Sequence, residues 1–182
     1  MIDDIKIYLV CGKARSGKDT VADILKEKLE EKDYKVCTIQ IMRTLKGYLK
    51  DYFNWDGRDE NKPRRLLQNM GTELIREKLN MPNFHIDRLC EDIKVLSNYF
   101  EVFIVDDIRL VNEIYEIKKR FDNVVSIGVE KENYVSPLGE FEEKHVTEHD
   151  LDDFSNYDYK VINSTREKLE EQVSEIIGKE VK

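Results

Sequence analysis

Residues 12–20 read GKARSGKDT, which fits the spacing GxxxxGK between the apolar run IYLVC and the amphipathic run VADILKEKLEEK. Residues of these types at this spacing suit the binding of a polyphosphate. Gly12 and Gly17 let the backbone curl until several N–H groups aim at one point, and the following helix N-terminus adds its partial positive charge. Lys18 then reaches the terminal phosphates. Gly12, Lys13, Ala14, Arg15, Ser16, Gly17, Lys18, Asp19 and Thr20 form the expected nucleotide-binding set. Asp19 stands where such loops carry the Ser or Thr that binds Mg²⁺, and the hydroxyl comes one residue later as Thr20. Both are therefore candidate metal-side groups.

Asp106 and Asp107 end the apolar run FEVFIV. A carboxylate at that place can hold Mg²⁺ through water or orient the phosphate loop. Arg109 follows two residues later, and a guanidinium donates bidentately to phosphate oxygens. Between Arg43 and Lys78 the chain carries a local excess of cations, among them Lys46, Lys50, Lys62, Arg64 and Arg65, where an anionic acceptor can dock. Gln68, Thr72 and Arg76 are spaced four apart and share one helical face, suited to reading a base and its phosphate. His145 and His149 are also four apart, but no HExxH pattern accompanies them, so a metal pair is not expected.

The elements that must position these groups alternate. IKIYLVC, KVCTIQI, EVFIVDD, NVVSIGVE and DYKVIN read as strands. VADILKEKLEEK, LVNEIYEIKKRF and REKLEEQVSEII read as helices, with two or three more between Leu45 and Asn98, broken near NWDGRDENKP and MPNF. Alternation of this kind predicts an α/β fold in which a mostly parallel sheet is covered on both faces and ligands bind beyond the carboxyl ends of its strands. The candidate groups fall just after strands.

The 182 residues suit one domain, large enough to bury roughly 70% of the unfolded surface without staples. Thirty basic against thirty-eight acidic side chains leave a net charge of −8, which disfavours polymeric nucleic acid and anionic membrane as partners. The apolar runs are too short to span a bilayer, and the first residues carry no export pattern, so a cytoplasmic protein is expected. Three cysteines without CxxC spacing suggest neither disulfides nor structural zinc.

CGKARSGKDTVADIL resembles the phosphate loop of the deoxynucleoside monophosphate kinases, in which GKDT is a familiar variant. LLQNMGTELIRE, NFHIDRL, DDIRLVNEI, and HVTEHDL through DYKVIN resemble further blocks of that family in the same order, so the resemblance covers most of the chain. The animal-type phosphomevalonate kinases share a similar GKxxSGKD loop, a D-x-R block and an acidic C-terminal stretch.

The resemblance implies a three-layer P-loop NTPase fold in a single domain over 1–182. It would have a central, mostly parallel five-stranded sheet, a helical acceptor-binding insert over about 43–99 and a small lid over about 131–157. It implies ATP with Mg²⁺ as donor and a deoxynucleoside monophosphate as small-molecule acceptor, and it leaves room for a homodimer. The catalytic groups would be Lys18, Arg15, Arg109 and Asp107, and the metal-side groups Asp19, Thr20 and Asp107. The acceptor would be held by Arg43, Lys46, Arg65, Gln68, Thr72, Arg76, Asp87 and Arg109. Residues 131–145 contain no arginine. Charge over the phosphates is thus neutralised either by Lys131 and Lys144 or by Arg15 and Arg109. Two other readings stay open: a kinase for phosphomevalonate or another small phosphorylated acceptor, and an ATP-binding module that transfers nothing.

Overall fold

The computed structural model describes residues 4–181. Five strands form one parallel sheet in the order β2-β3-β1-β4-β5: β1 (Lys6–Cys11), β2 (Val36–Ile39), β3 (Val102–Ile108), β4 (Val124–Lys131) and β5 (Tyr159–Asn163). The central strands read as unbroken apolar runs because helices cover both faces. All of Ile7 to Cys11, for example, is excluded from solvent.

One core lies between the sheet and helices α1 (Lys18–Glu30) and α7 (Arg166–Glu180), built from residues such as Tyr8, Val10, Leu25, Ile127 and Val173. On the other face α4 (Phe84–Leu96) and α5 (Val111–Lys118) pack Ile86, Leu89, Ile93, Ile114 and Ile117 against Ile7, Leu9, Phe103 and Val105. A third, smaller core of Leu45, Leu49, Leu67 and Ile75 holds together α2 (Arg43–Tyr52) and α3 (Arg64–Gln68). The segment after β4 contains only short helical pieces, α6 (Glu140–Glu143) and a 3₁₀ turn (Val146–Glu148).

One expectation about helix type changes. α3 runs without a break into a π-helix over Asn69–Lys78, where an ordinary helical repeat is expected. The wider register falls where Gly71 lies against α2. A Cβ on Gly71 would sit 3.0 Å from Met42 Cε and 3.3 Å from Leu45 Cδ2. π-helical turns recur at functional sites, and this one carries Thr72 and Arg76. Among the described residues no helix is long and apolar enough to cross a membrane.

Candidate active site

The phosphate loop joins the end of β1 to the start of α1. Gly12 and Gly17 have φ of 151° and 104°, and a side chain on either would collide, at Gly12 with the Val129 carbonyl and at Gly17 with Asn163. Arg15 adopts φ 54°, rare for a residue with a Cβ. Asn163, at the end of the edge strand β5, donates to the Ser16 carbonyl at 2.9 Å and fixes the loop from outside.

Lys18 is buried, with Nζ donating to the Lys13 carbonyl at 2.6 Å. Burial, and secondarily the nearby Arg109 charge, pull its pKa down to about 8. A cleft of about 500 Å³ opens in front of the loop, lined by Arg15, Lys18, Asp19, Thr20, Trp55 and Asp106, among others.

Asp106 and Asp107 differ. Asp107 accepts from the N–H groups of Ile41 and Met42 at 2.7 and 3.4 Å and from Lys46 Nζ at 3.2 Å, so it anchors the turn that starts α2. Asp106 is buried, its Oδ1 has no hydrogen-bond partner, and burial followed by the Asp107 charge raises its pKa to about 6. These groups fit a magnesium ion. Mg²⁺ usually takes one or two carboxylates, water and phosphate oxygens rather than a protein cage, and among the described residues no three His, Cys, Asp or Glu side chains are grouped closely enough to cage a metal ion. Asp106 and Asp19 would hold it, with Thr20 in the same cleft and Asp107 one residue away.

A second cavity of about 110 Å³ lies beside the first. Lys46, Gln68, Thr72, Arg76 and Arg109, all singled out in the sequence, line it together with the apolar Met42, Leu67 and Leu138. Arg76 donates to Glu113 at 2.9 Å, and Glu113 also accepts from the N–H groups of Arg109 and Leu110. Burial holds the Glu113 carboxyl above the usual range, while Arg76 pulls it back. Gln68 Nε2 donates to the Glu142 carbonyl at 3.2 Å, which leaves its buried Oε1 without a partner. The two cavities share Lys46, Lys62, Arg64, Asp107 and Arg109.

Three expected acceptor residues lie elsewhere. Arg43 is exposed and pairs with Asp92, because the packing of α2 turns this side chain toward α4. Asp87 pairs with Arg120 at 2.6 Å, on the side of α4 facing the end of α5. Arg65 lies outside the second cavity, in an adjoining surface hollow, with its guanidinium 4.5 Å from the centre of the Phe141 ring. His85 is buried beneath Gly71, and burial lowers its pKa to about 4.

Lys131 and Lys144 line none of these hollows, and Lys144 is tied to Glu140, whereas Arg15 and Arg109 face the cleft. Lys62 and Arg64, both paired with Asp59, are site residues that the basic composition of this stretch flagged only collectively. Glu113 and Glu148 are additions whose only sequence signal is their place in the blocks DDIRLVNEI and HVTEHDL, and Tyr134, whose hydroxyl donates to the Ala14 carbonyl at 3.0 Å, has no such signal.

No family model matches the chain, and no curated protein sequence matches it. Solved structures do. The APS kinase CysC of Mycobacterium tuberculosis, in complex with AMPPNP and APS, aligns over 96% of each chain with 18% identity and a TM-score of 0.53. The protein APE1195 aligns over 97% of this chain and 94% of its own, at 15% identity and a TM-score of 0.52. The fold is the three-layer P-loop NTPase fold, with a five-stranded parallel sheet. Here Asp107 and Arg109, at the carboxyl end of β3, line both cavities.

Proposed function

We propose that this protein transfers the terminal phosphoryl group of Mg-ATP to the phosphate of a (deoxy)nucleoside monophosphate, releasing ADP and the diphosphate. The reading rests on one observation: a phosphate-loop cleft and an arginine- and amide-lined cavity lie side by side, with Lys46, Lys62, Arg64, Asp107 and Arg109 lining both. Two anions meeting there would be aligned and neutralised, and phosphoryl transfer asks little more of a protein.

In this reading Lys18 and the loop amides hold the donor, and Arg15 and Arg109 offset charge on the moving group. Arg76 and Lys46 draw the acceptor phosphate, and Gln68 and Thr72 face its base. Mg²⁺ when bound shields the donor phosphates, and Asp106, Asp19 and Thr20 are the groups that would hold it. Asp107, already engaged by α2, orients Lys46. The neighbour that carries AMPPNP supports ATP as donor.

A phosphorylated acceptor without a base is the second reading, favoured by the lack of any aromatic ring among the residues lining the smaller cavity. ADP release from Mg-ATP decides, measured against deoxynucleoside and ribonucleoside monophosphates, phosphomevalonate and no acceptor. Stimulation by a nucleoside monophosphate supports the first reading, and a response to phosphomevalonate alone supports the second. Silence with every acceptor refutes both.

A further inference from the structure

Ala14, in the middle of the phosphate loop, has both main-chain polar groups taken by side chains from the segment after β4. Its N–H donates to Glu148 Oε2 at 3.2 Å, and its carbonyl accepts from the Tyr134 hydroxyl at 3.0 Å. The next residue is Arg15, held at φ 54°. A left-handed conformation at a residue with a Cβ persists only where the surroundings over-determine it. The carbonyl that Tyr134 grips belongs to the peptide plane against which the Arg15 φ is measured.

The second oxygen of Glu148 pairs with the Arg109 guanidinium, at the junction of the two cavities. Glu148 is 6% exposed. A neutral acceptor would satisfy the Ala14 N–H, and a buried carboxylate beside a polyphosphate site is costly unless a cation compensates it. Arg109 is that cation, so the charge of Glu148 is explained by the arginine it holds. The segment is itself fixed, since Asp150 accepts from the Val111 N–H at 2.7 Å and Asp152 pairs with Lys13 at 2.7 Å. His145 caps the 3₁₀ turn by accepting from the Thr147 N–H.

We propose that Glu148 and Tyr134 form a clamp through which the segment after β4 places two of the three cleft arginines: Arg15 by gripping Ala14, and Arg109 by direct pairing. Both are positioning residues. This inference rests on the phosphoryl-transfer reading, in which a phosphate acceptor is already anionic and needs no base, so Glu148 acts through Arg109 rather than on substrate.

The test compares Glu148→Gln, Glu148→Ala and Tyr134→Phe with the wild type. It measures turnover with the best acceptor of the panel, ATP affinity by displacement of a fluorescent nucleotide, and hydrogen exchange of the Ala14 amide in nucleotide-free protein. Glu148→Gln keeps an acceptor for Ala14 but loses the charge. It should lower kcat by about 10- to 100-fold, the loss expected for one charged hydrogen bond, with ATP affinity and Ala14 exchange within about threefold of wild type. Glu148→Ala should speed Ala14 exchange by about tenfold or more. Tyr134→Phe should weaken ATP binding by about 3- to 10-fold with acceptor KM unchanged. Wild-type kcat in Glu148→Gln, or wild-type ATP affinity in Tyr134→Phe, overturns the clamp. If the wild type turns over no acceptor, the kinase reading fails by itself. The clamp is then judged on Ala14 exchange in Glu148→Ala and ATP affinity in Tyr134→Phe, where wild-type values overturn it.

Discussion

Asp106 and Asp107 are neighbours on β3 with opposite situations: Asp107 receives three hydrogen bonds, while Asp106 keeps a buried oxygen that receives none. A carboxylate already committed to two backbone N–H groups and a lysine is a poor candidate to change partners on metal binding. A buried, unsatisfied one is a good candidate, since a cation removes the cost of its isolation.

Asp106→Asn should therefore raise the Mg²⁺ concentration needed for half-maximal turnover by about tenfold or more, and Asp107→Asn should chiefly raise acceptor KM through the loss of Lys46 and the α2 turn. The metal-free protein supplies an independent reading. The Asp106 pKa is raised from 3.8 to about 6, so its contribution to stability is full below pH 4 and is lost as pH rises through about 6. Asp106→Asn should remove that loss and be more stable than wild type at pH 7, by about 3 kcal/mol. Chemical denaturation at pH 4 and pH 7 without metal checks this. A variant that loses stability between the two pH values as steeply as wild type would show that Asp106 does not carry it.

Lys18 gives a second pH signature. Its pKa of about 8 in the empty protein means that the neutral form grows above pH 8. A bound polyphosphate favours the ammonium, so nucleotide binding near pH 8 should take up protons and ATP affinity should fall as pH rises further. Calorimetry in buffers of different ionisation enthalpy reads the uptake directly, and Lys18→Ala should abolish it. The same substitution should lower turnover by on the order of 10²-fold or more, because it removes a preorganised charge.

The strands and the phosphate loop were legible because both are local. Buried parallel strands are continuous apolar runs, and a nucleotide loop packs its glycines and lysine into a single stretch. Gln68, Thr72 and Arg76 were legible for the same reason, as a stripe on one helix that survives the change to π-register. Arg43 and Asp87 were not, because helix packing decides which face meets a cavity. They find Asp92 and Arg120 instead. Glu148 was hidden more deeply. Its partners Ala14 and Arg109 lie 134 and 39 residues away, and no local pattern encodes a contact of that range. Asp106 was distinguished from Asp107 only by hydrogen bonds that form when α2 docks on β3.

Arg76 and Glu113 form a pair with side chains 13% and 3% exposed. Breaking a buried pair from one side strands the other charge, at a cost of about 3–5 kcal/mol. Arg76→Ala should therefore unfold at markedly lower denaturant, and adding Glu113→Gln should restore part of that loss. Arg76→Lys keeps a cation but not the planar fork, so it should raise acceptor KM with a smaller effect on stability. Equal losses in Arg76→Ala and the double variant would show that Glu113 is not the group left stranded.

Two glycine-to-alanine substitutions should act in opposite directions. Gly17 lies at φ 104°, and its Cβ would fall 2.1 Å from Asn163 Nδ2 and 2.9 Å from Asn163 Cγ, displacing the side chain that holds the Ser16 carbonyl. Gly47 sits inside α2 with nothing within 4 Å of its Cβ. Gly17→Ala should weaken ATP binding by about tenfold or more, since it combines backbone strain with loss of the loop's outer anchor. Gly47→Ala should leave ATP affinity unchanged and stabilise the protein by about 0.5–1 kcal/mol, through backbone entropy alone. Asn163→Ala separates the two causes at Gly17. If Gly17→Ala still weakens ATP binding in the Asn163→Ala background, the φ of residue 17 is responsible; if the effect vanishes there, the anchor is.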